Sequence, residues 1–200
     1  MKKIISIVLS LSVLFAMCVT ASAAEVSSNG GSGSTPVYLS STEDGSLGGK
    51  PSATAMSVTV PTALPMAMSQ TGDVTCADNC KIINNSYGAV RVKTVTISTA
   101  NGWKLTAFGD KSTLAGEKVD SNKLGFSISI GGGAKKQTTS SNSESQMLIT
   151  TPIAGCYMSG VGNSGANTVS VEYAAIVTPL SGAVTNANIA NVVFVIEWDI

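Results

Sequence analysis

Histidine is absent from this chain of 200 residues, which removes the commonest general base and the commonest metal ligand in proteins. A serine nucleophile would therefore lack an imidazole base, and the sequence has no Gly-x-Ser-x-Gly turn to present one. The acidic residues that could form a glycosidase pair stand singly among polar residues: Asp73, Asp78, Asp110, Glu117, Glu172 and Glu197. We therefore expect a non-catalytic protein with no cofactor and no metal ion.

Long apolar runs are also scarce, and the one that could matter for a membrane lies at the start of the chain. Lys2 and Lys3 precede a mostly apolar stretch over residues 4–19, and the small residues Ala21-Ser22-Ala23 follow it. This order is typical of a secretory signal peptide, so residues 1–24 are predicted to be removed after Ala23 or Ala24. We expect a secreted, extracellular protein with no membrane span in the mature chain.

Charged residues make up only 12% of the chain, with 12 Lys and Arg against 12 Asp and Glu. Loss of Lys2 and Lys3 with the signal peptide leaves 10 against 12, a net charge of −2. This balance excludes a general electrostatic attraction to nucleic acid or to anionic lipid.

Cysteine is sparse, and the mature chain holds the odd number that remains after Cys18 is removed: Cys76, Cys80 and Cys156. In an oxidising compartment the close pair Cys76 and Cys80 is predicted to form a disulfide across a loop, leaving Cys156 free and buried. Pairing of Cys156 with either of the others remains an alternative. Three thiols without histidine or paired Cys-x-x-Cys spacing do not favour a metal site.

What the chain does have is period-two alternation of apolar and polar residues. Residues 25–35 are Ser- and Gly-rich and are predicted to be a flexible leader, whereas residues 36–200 form one domain. Within it, LGFSISI (124–130), TVSVEYAAIV (168–177) and VVFVIEWDI (192–200) alternate as strands do. Many short strands separated by turns, without helical spacing, predict an all-β fold, an antiparallel β-sandwich.

Local irregularities in this pattern predict further details. In AVRVKTVTI the alternation slips between Val92 and Val95, which predicts a β-bulge near Lys93-Thr94. The segment Asn84-Asn85-Ser86 is typical of an Asx turn. The long polar stretch over residues 135–146 is predicted to be an exposed hairpin loop.

Two tryptophans lie on the apolar phase of their strands. Trp103 shares a face with Leu105, and Trp198 is in phase with the apolar residues of the last strand, Val192, Phe194, Ile196 and Ile200. This phase favours indoles that anchor the core or its edge over indoles that stack on a sugar.

The segment NGWKLTA (101–107) and the second tryptophan motif in the terminal strand resemble the WxL domains of Gram-positive surface proteins. The order VTVPTALP, KIINNSYGAVRVKTVTI, NGWKL and VVFVIEW also resembles a broader group of secreted Bacillota proteins. The resemblance covers residues 36–200. It implies a β-sandwich held non-covalently at the cell wall, with peptidoglycan or another cell-wall polysaccharide as partner. Its signature residues fall on Trp103, Leu105, Trp198 and Ile200, which it implies are the binding residues, although Ile200 stands where the family has leucine.

Two functions follow as expectations. The first is a secreted, non-catalytic cell-surface protein that binds cell-wall polymer or another surface protein non-covalently. The alternative is a structural subunit of an extracellular fibre or surface layer, assembled by strand exchange through the leader and the terminal strand.

Overall fold

The computed structural model describes residues 24–26, 29–30, 55–140 and 143–200. In chain order the strands are β1 (Ala24–Val26), β2 (Val58–Val60), β3 (Met66–Met68), β4 (Val74–Cys76), β5 (Lys81–Asn84), β6 (Val90–Thr99), β7 (Lys104–Thr106), β8 (Lys123–Ile130), β9 (Lys136–Gln137), β10 (Ser145–Ile149), β11 (Tyr157–Met158), β12 (Thr168–Val177) and β13 (Ala190–Trp198). One four-residue helix, α1 (Ser112–Ala115), follows β7. The predicted signal peptide up to residue 23 lies outside the described residues.

Two sheets carry most of these strands. The large sheet has seven strands, in the order β1-β2-β5-β12-β8-β7 with β9 also paired to β8. The small sheet has four strands: β6 is paired along its whole length with β13, and β10 and β11 follow one another along its other side. Strands β3 and β4 form a separate hairpin. Every pairing is antiparallel except β7 with β8, so the predicted all-β antiparallel sandwich is confirmed.

The core lies between the sheets because each strand turns its alternate apolar side chains to one face. Large, fully buried side chains come from both sheets and include Ile82, Leu124 and Ile128 from the large sheet and Ile97 and Ile196 from the small one. Burial of each such side chain contributes about 1.5–3 kcal/mol.

The predicted β-bulge in β6 is confirmed. Val195 of β13 pairs with Thr94, whereas the next residue, Ile196, pairs with Val92, so Lys93 is the extra residue. The bulge lets Val92 and Val95 both reach the core, where each is fully buried.

Strand β8 is buried on both faces, which its alternating sequence does not indicate. Its Ser127 and Ser129 are buried as well as its apolar residues. At Gly125 a Cβ atom would lie 2.7 Å from Cγ1 of Ile176 and 2.8 Å from the carbonyl oxygen of Ala107, so only glycine fits there.

The long polar stretch over residues 135–146 is mostly exposed, as predicted, but the prediction that it is a hairpin loop is wrong. Strand β9 pairs with β8 in the large sheet, whereas β10 pairs with β6 in the small sheet. Between them Thr138 is buried, and its backbone N–H donates to the carbonyl of Phe126 while its hydroxyl accepts from the N–H of Phe126, both at 2.9 Å. The stretch is therefore a crossover between the sheets.

The start of the predicted flexible leader is also structured. Strand β1 pairs with β2 at the edge of the large sheet, with Glu25 opposite Thr59. Asn29 and Gly30 then contact β13 at the edge of the small sheet. Residues 31–35 of the predicted leader lie outside the described part of the chain.

Candidate functional site

Two of the four residues implied as binding residues lie in the core. Trp103 is 8% exposed and Leu105 is fully buried. Trp198 is partly buried and packs against the core cluster, whereas Ile200 is fully exposed beyond the end of β13. A polymer on the surface of the folded domain would thus meet Ile200 and part of Trp198, but not Leu105.

The two tryptophans do not share a surface. The turn before Trp103 is held at the start of β13, because the N–H of Ala100 donates to the carbonyl of Ile189 and the N–H of Trp103 donates to that of Ala100. Trp198 is the last residue of β13. At about 3.3 Å per residue, nine residues of strand place the two ends about 30 Å apart.

The outer face of the small sheet, meaning the side chains that point away from the core, carries charged, aromatic, hydroxyl and apolar residues. Paired residues in neighbouring strands point to the same face, so the register defines rows across the sheet. One row is Tyr157, Arg91 and Glu197, and another is Met147, Thr96 and Val193. We call this surface the outer face.

Arg91 is the centre of a charged cluster at one end of the outer face. Its Nε donates to Oε1 of Glu197 at 2.8 Å, and its Nη1 donates to Oδ1 of Asp199 at 3.0 Å. Lys93 reaches the other oxygen, Oε2, of Glu197 at 2.8 Å. The two cations and two carboxylates cancel in charge, and their contacts fix the orientation of the guanidinium and of both carboxylates.

These contacts also set the ionisation of the cluster. The hydrogen bonds from Lys93 and then Arg91 hold the pKa of Glu197 below its usual range. The hydrogen bond to Glu197 raises the pKa of Arg91 further. Glu197 is therefore a permanent hydrogen-bond acceptor at neutral pH and is unsuited to donate a proton.

Tyr157 gives the charged cluster an aromatic neighbour. It lies directly opposite Arg91 in the register of β11 and β6 and is 46% exposed, whereas the next residue, Met158, is buried. An exposed phenol ring beside oriented donors and acceptors can stack on an apolar face and hydrogen-bond at its rim.

At the β10 side of the small sheet lies an open groove of about 480 Å³. Hydroxyl and amide side chains, one lysine and two apolar residues line it: Lys136, Gln137, Thr139, Ser143, Ser145, Gln146, Met147 and Leu148. Met147 is 54% exposed and belongs also to the outer face, so the groove and the outer face are continuous.

Neither a family model, a curated protein nor a solved structure matches this chain. The arguments about function therefore rest on the chemistry of these surfaces. In the part of the chain that the structure describes, no helix has the length and apolar character needed to cross a bilayer. Nor do three or more acidic or cysteine side chains of that part come together in a group that could hold a metal ion.

The predicted disulfide between Cys76 and Cys80 is not formed in the structure, where both residues and Cys156 are free thiols. Cys80 is buried, and its Sγ faces the carbonyl of Ala63 at 4.0 Å, while Cys76 is held in β4 opposite Met66. Burial raises the pKa of the Cys76 and Cys156 thiols, which keeps them protonated and weakly reactive.

Sequence reasoning did not find Tyr157 or Arg91. The alternation in VVFVIEWDI puts Glu197 and Asp199 on the polar phase of the strand, and the same alternation puts Arg91 on the polar phase of its own strand. The alternation therefore indicated that each of these residues points away from the core, but not that they lie together. Their contact in one cluster depends on the pairing of strands far apart in the chain, because Arg91 and Glu197 are separated by 106 positions.

Proposed function

We propose that this is a secreted, non-catalytic cell-surface protein that binds cell-wall polysaccharide, such as the glycan of peptidoglycan, through the outer face of the small sheet. The observation that carries the proposal is the exposed ring of Tyr157 in one row with the paired Arg91 and Glu197. The signal peptide and the WxL-like segments support the same location on sequence grounds.

The chemistry of the row suits a sugar polymer. A phenol ring covers the apolar face of a pyranose, while a guanidinium and a carboxylate donate to and accept from its hydroxyls. Because Arg91, Glu197, Lys93 and Asp199 already hold one another, they lose little side-chain freedom when a ligand binds. The balanced charge favours a polymer with hydroxyl, amide and carboxylate groups over a dense polyanion.

The same cluster supports binding over hydrolysis. A glycosidase needs one carboxyl group that is protonated at working pH, which requires a raised pKa. In Glu197 the ion pairs act in the opposite direction and lower the pKa. The carboxylate next to the exposed ring is therefore an acceptor for ligand hydroxyls.

Co-sedimentation of the purified secreted chain with isolated Gram-positive sacculi tests the proposal. We expect wild-type protein to pellet with sacculi and Tyr157→Ala to bind about tenfold more weakly, which corresponds to about 1.4 kcal/mol. Tyr157→Phe keeps the ring and should retain most binding. Val184→Ala serves as the matched control, because Val184 is 60% exposed on the loop that leads into the start of β13, whereas Glu197 lies near the end of that strand.

Absence of wild-type protein from the pellet, or equal pelleting of Tyr157→Ala and Val184→Ala, would sink the proposal. Sacculi stripped of protein by protease distinguish the two partner classes. Retained binding identifies the polymer as the partner, whereas loss of binding on stripping identifies another surface protein.

A further inference from the structure

Strand β1 and the nearby residues Asn29 and Gly30 contact the edges of the two sheets, β1 at the large sheet and the other two at the small sheet. Strand β1 pairs with β2, with Ala24 opposite Val60 and Val26 opposite Val58. Just beyond it, the side-chain oxygen of Asn29 accepts from the backbone N–H of Trp198 at 2.8 Å. The N–H of Gly30 donates to the carbonyl of Ile196, also at 2.8 Å. We call β1 together with Asn29 and Gly30 the donor segment.

The edge of the small sheet is only partly used by the donor segment. In a strand, successive residues direct their backbone groups to alternate sides, so Ile196 and Trp198 share their free side with Phe194 and Val192. Among the described residues, neither Phe194 nor Val192 has a backbone hydrogen bond on that side. An edge of this kind is a template for another extended segment.

The attachment of the donor segment to its own copy is weak in two respects. The ladder with β2 covers three residue pairs only. In addition, residues 27–57 separate β1 from β2 along the chain, so the two strands are not held together by a tight turn.

Signal-peptide removal would place the donor segment at a chain end. The cleavage predicted after Ala23 or Ala24 leaves Glu25 and Val26 at the N-terminus of the secreted chain. A strand at a free end can leave its own edge and enter that of a neighbour without unfolding the rest of the domain.

We propose that the donor segment pairs with the β2 and β13 edges of a second copy of this chain, so that secreted copies assemble head to tail by strand exchange. The donor and the acceptor edges are different surfaces, so each copy can donate to one neighbour while it accepts from another. Such a heterologous interface propagates into a filament or layer when the rotation between successive copies does not close a ring. The proposal is independent of polysaccharide binding, because it uses the strand edges and leaves the outer face free.

Cross-linking between differently marked copies tests this directly. Glu25→Cys is made in one preparation and Thr59→Cys in another, because these residues are opposite one another in the register and Thr59 is not part of the buried core. One preparation is labelled with ¹⁵N, the two are mixed near millimolar concentration, oxidised briefly and digested. We expect mass spectrometry to find a peptide pair joining residues 25 and 59 from different copies.

Two matched variants complete the design. Lys104→Cys replaces Thr59→Cys as a control, because Lys104 is exposed on β7 at the opposite edge of the large sheet. It should give at least tenfold less joined peptide with residue 25. A chain that starts at residue 31 lacks the donor segment and should remain monomeric in light scattering at concentrations where the full secreted chain forms oligomers.

The double variant Glu25→Cys/Thr59→Cys decides between the remaining outcomes. If it cross-links within single copies at every concentration and the mixture yields no 25–59 pair between copies, strand exchange is overturned. If residues 25 and 59 join in neither arrangement, the pairing of β1 with β2 is itself wrong and the proposal falls with it.

Discussion

The hydroxyl of Tyr173 donates a 2.5 Å hydrogen bond to the carbonyl of Pro65, and the same oxygen accepts from the N–H of Ala77 at 3.2 Å. Tyr173 belongs to β12 of the large sheet, while Pro65 and Ala77 are the residues on either side of the β3–β4 hairpin. One buried side chain therefore fastens both ends of the hairpin to the sandwich.

Tyr173→Phe is expected to destabilise the domain by about 1 kcal/mol, because the carbonyl of Pro65 and the N–H of Ala77 each lose a hydrogen bond to the phenol and keep only the 3.2 Å bond that joins them to each other. The ring itself, which stacks on Phe126 at a centroid distance of 6.1 Å, is retained. Urea unfolding monitored by circular dichroism measures the change. Tyr157→Phe, which removes an exposed hydroxyl, should leave the midpoint unchanged, and an equal loss in both variants would contradict this role for Tyr173.

Alkaline pH should lower the stability of the domain because Tyr173 loses its phenol proton. Burial, the largest cause, raises the pKa of Tyr173 from 10.0 to about 12. The unfolded chain therefore releases the phenol proton first, so the stabilisation is complete below pH 10 and is lost as pH rises towards 12. Melting temperatures measured from pH 8 to pH 12 should fall more steeply for wild type than for Tyr173→Phe. Parallel curves would show that another group governs the alkaline transition.

Trp103→Ala should lower the stability of the fold, and any loss of partner binding should follow from that loss of stability. An 8% exposed indole in the core leaves a large cavity when truncated, which typically costs about 3–5 kcal/mol. Trp198→Ala removes a partly exposed ring and should cost less. Denaturant unfolding compares the two variants. The anchoring role fails if Trp103→Ala leaves the midpoint unchanged while weakening binding to sacculi.

Gly155 should tolerate alanine much less well than Gly162. Both have positive φ values, +93° and +80°, so both substitutions carry a backbone strain of about 1 kcal/mol. At Gly155, however, a Cβ atom would overlap the carbonyl oxygen of Ile130, whereas at Gly162 nothing lies within 4 Å. Gly155→Ala should therefore cost more than Gly162→Ala in thermal unfolding, and it should also weaken sacculus binding because Tyr157 lies two residues away. Equal melting temperatures would contradict the overlap.

Several local predictions from sequence are confirmed because their causes are local. The Asx turn at Asn84 is present, with its Oδ1 accepting from the N–H of Ser86 at 2.9 Å. The bulge at Lys93 follows from the slip in the apolar alternation between Val92 and Val95. The predicted hairpin over residues 135–146 is wrong because the pairing of this stretch depends on β8 and β6, which folding brings to β9 and β10 from distant parts of the chain.

The sequence by itself determined the fold class and, for strands such as β6, β12 and β13, the side that enters the core, but not the burial of β8 on both faces. The reason is that side chains in a strand alternate between its two faces, so the order of apolar and polar residues indicates which face is buried. Only the tertiary structure decided which outward residues meet. Tyr157, Arg91 and Glu197 share a row because three distant strands pair in one register, and a shift of one residue would have turned Arg91 towards the core. The same holds for Asn29 and Trp198, which 169 positions separate in the chain and one hydrogen bond joins at the edge of the sandwich.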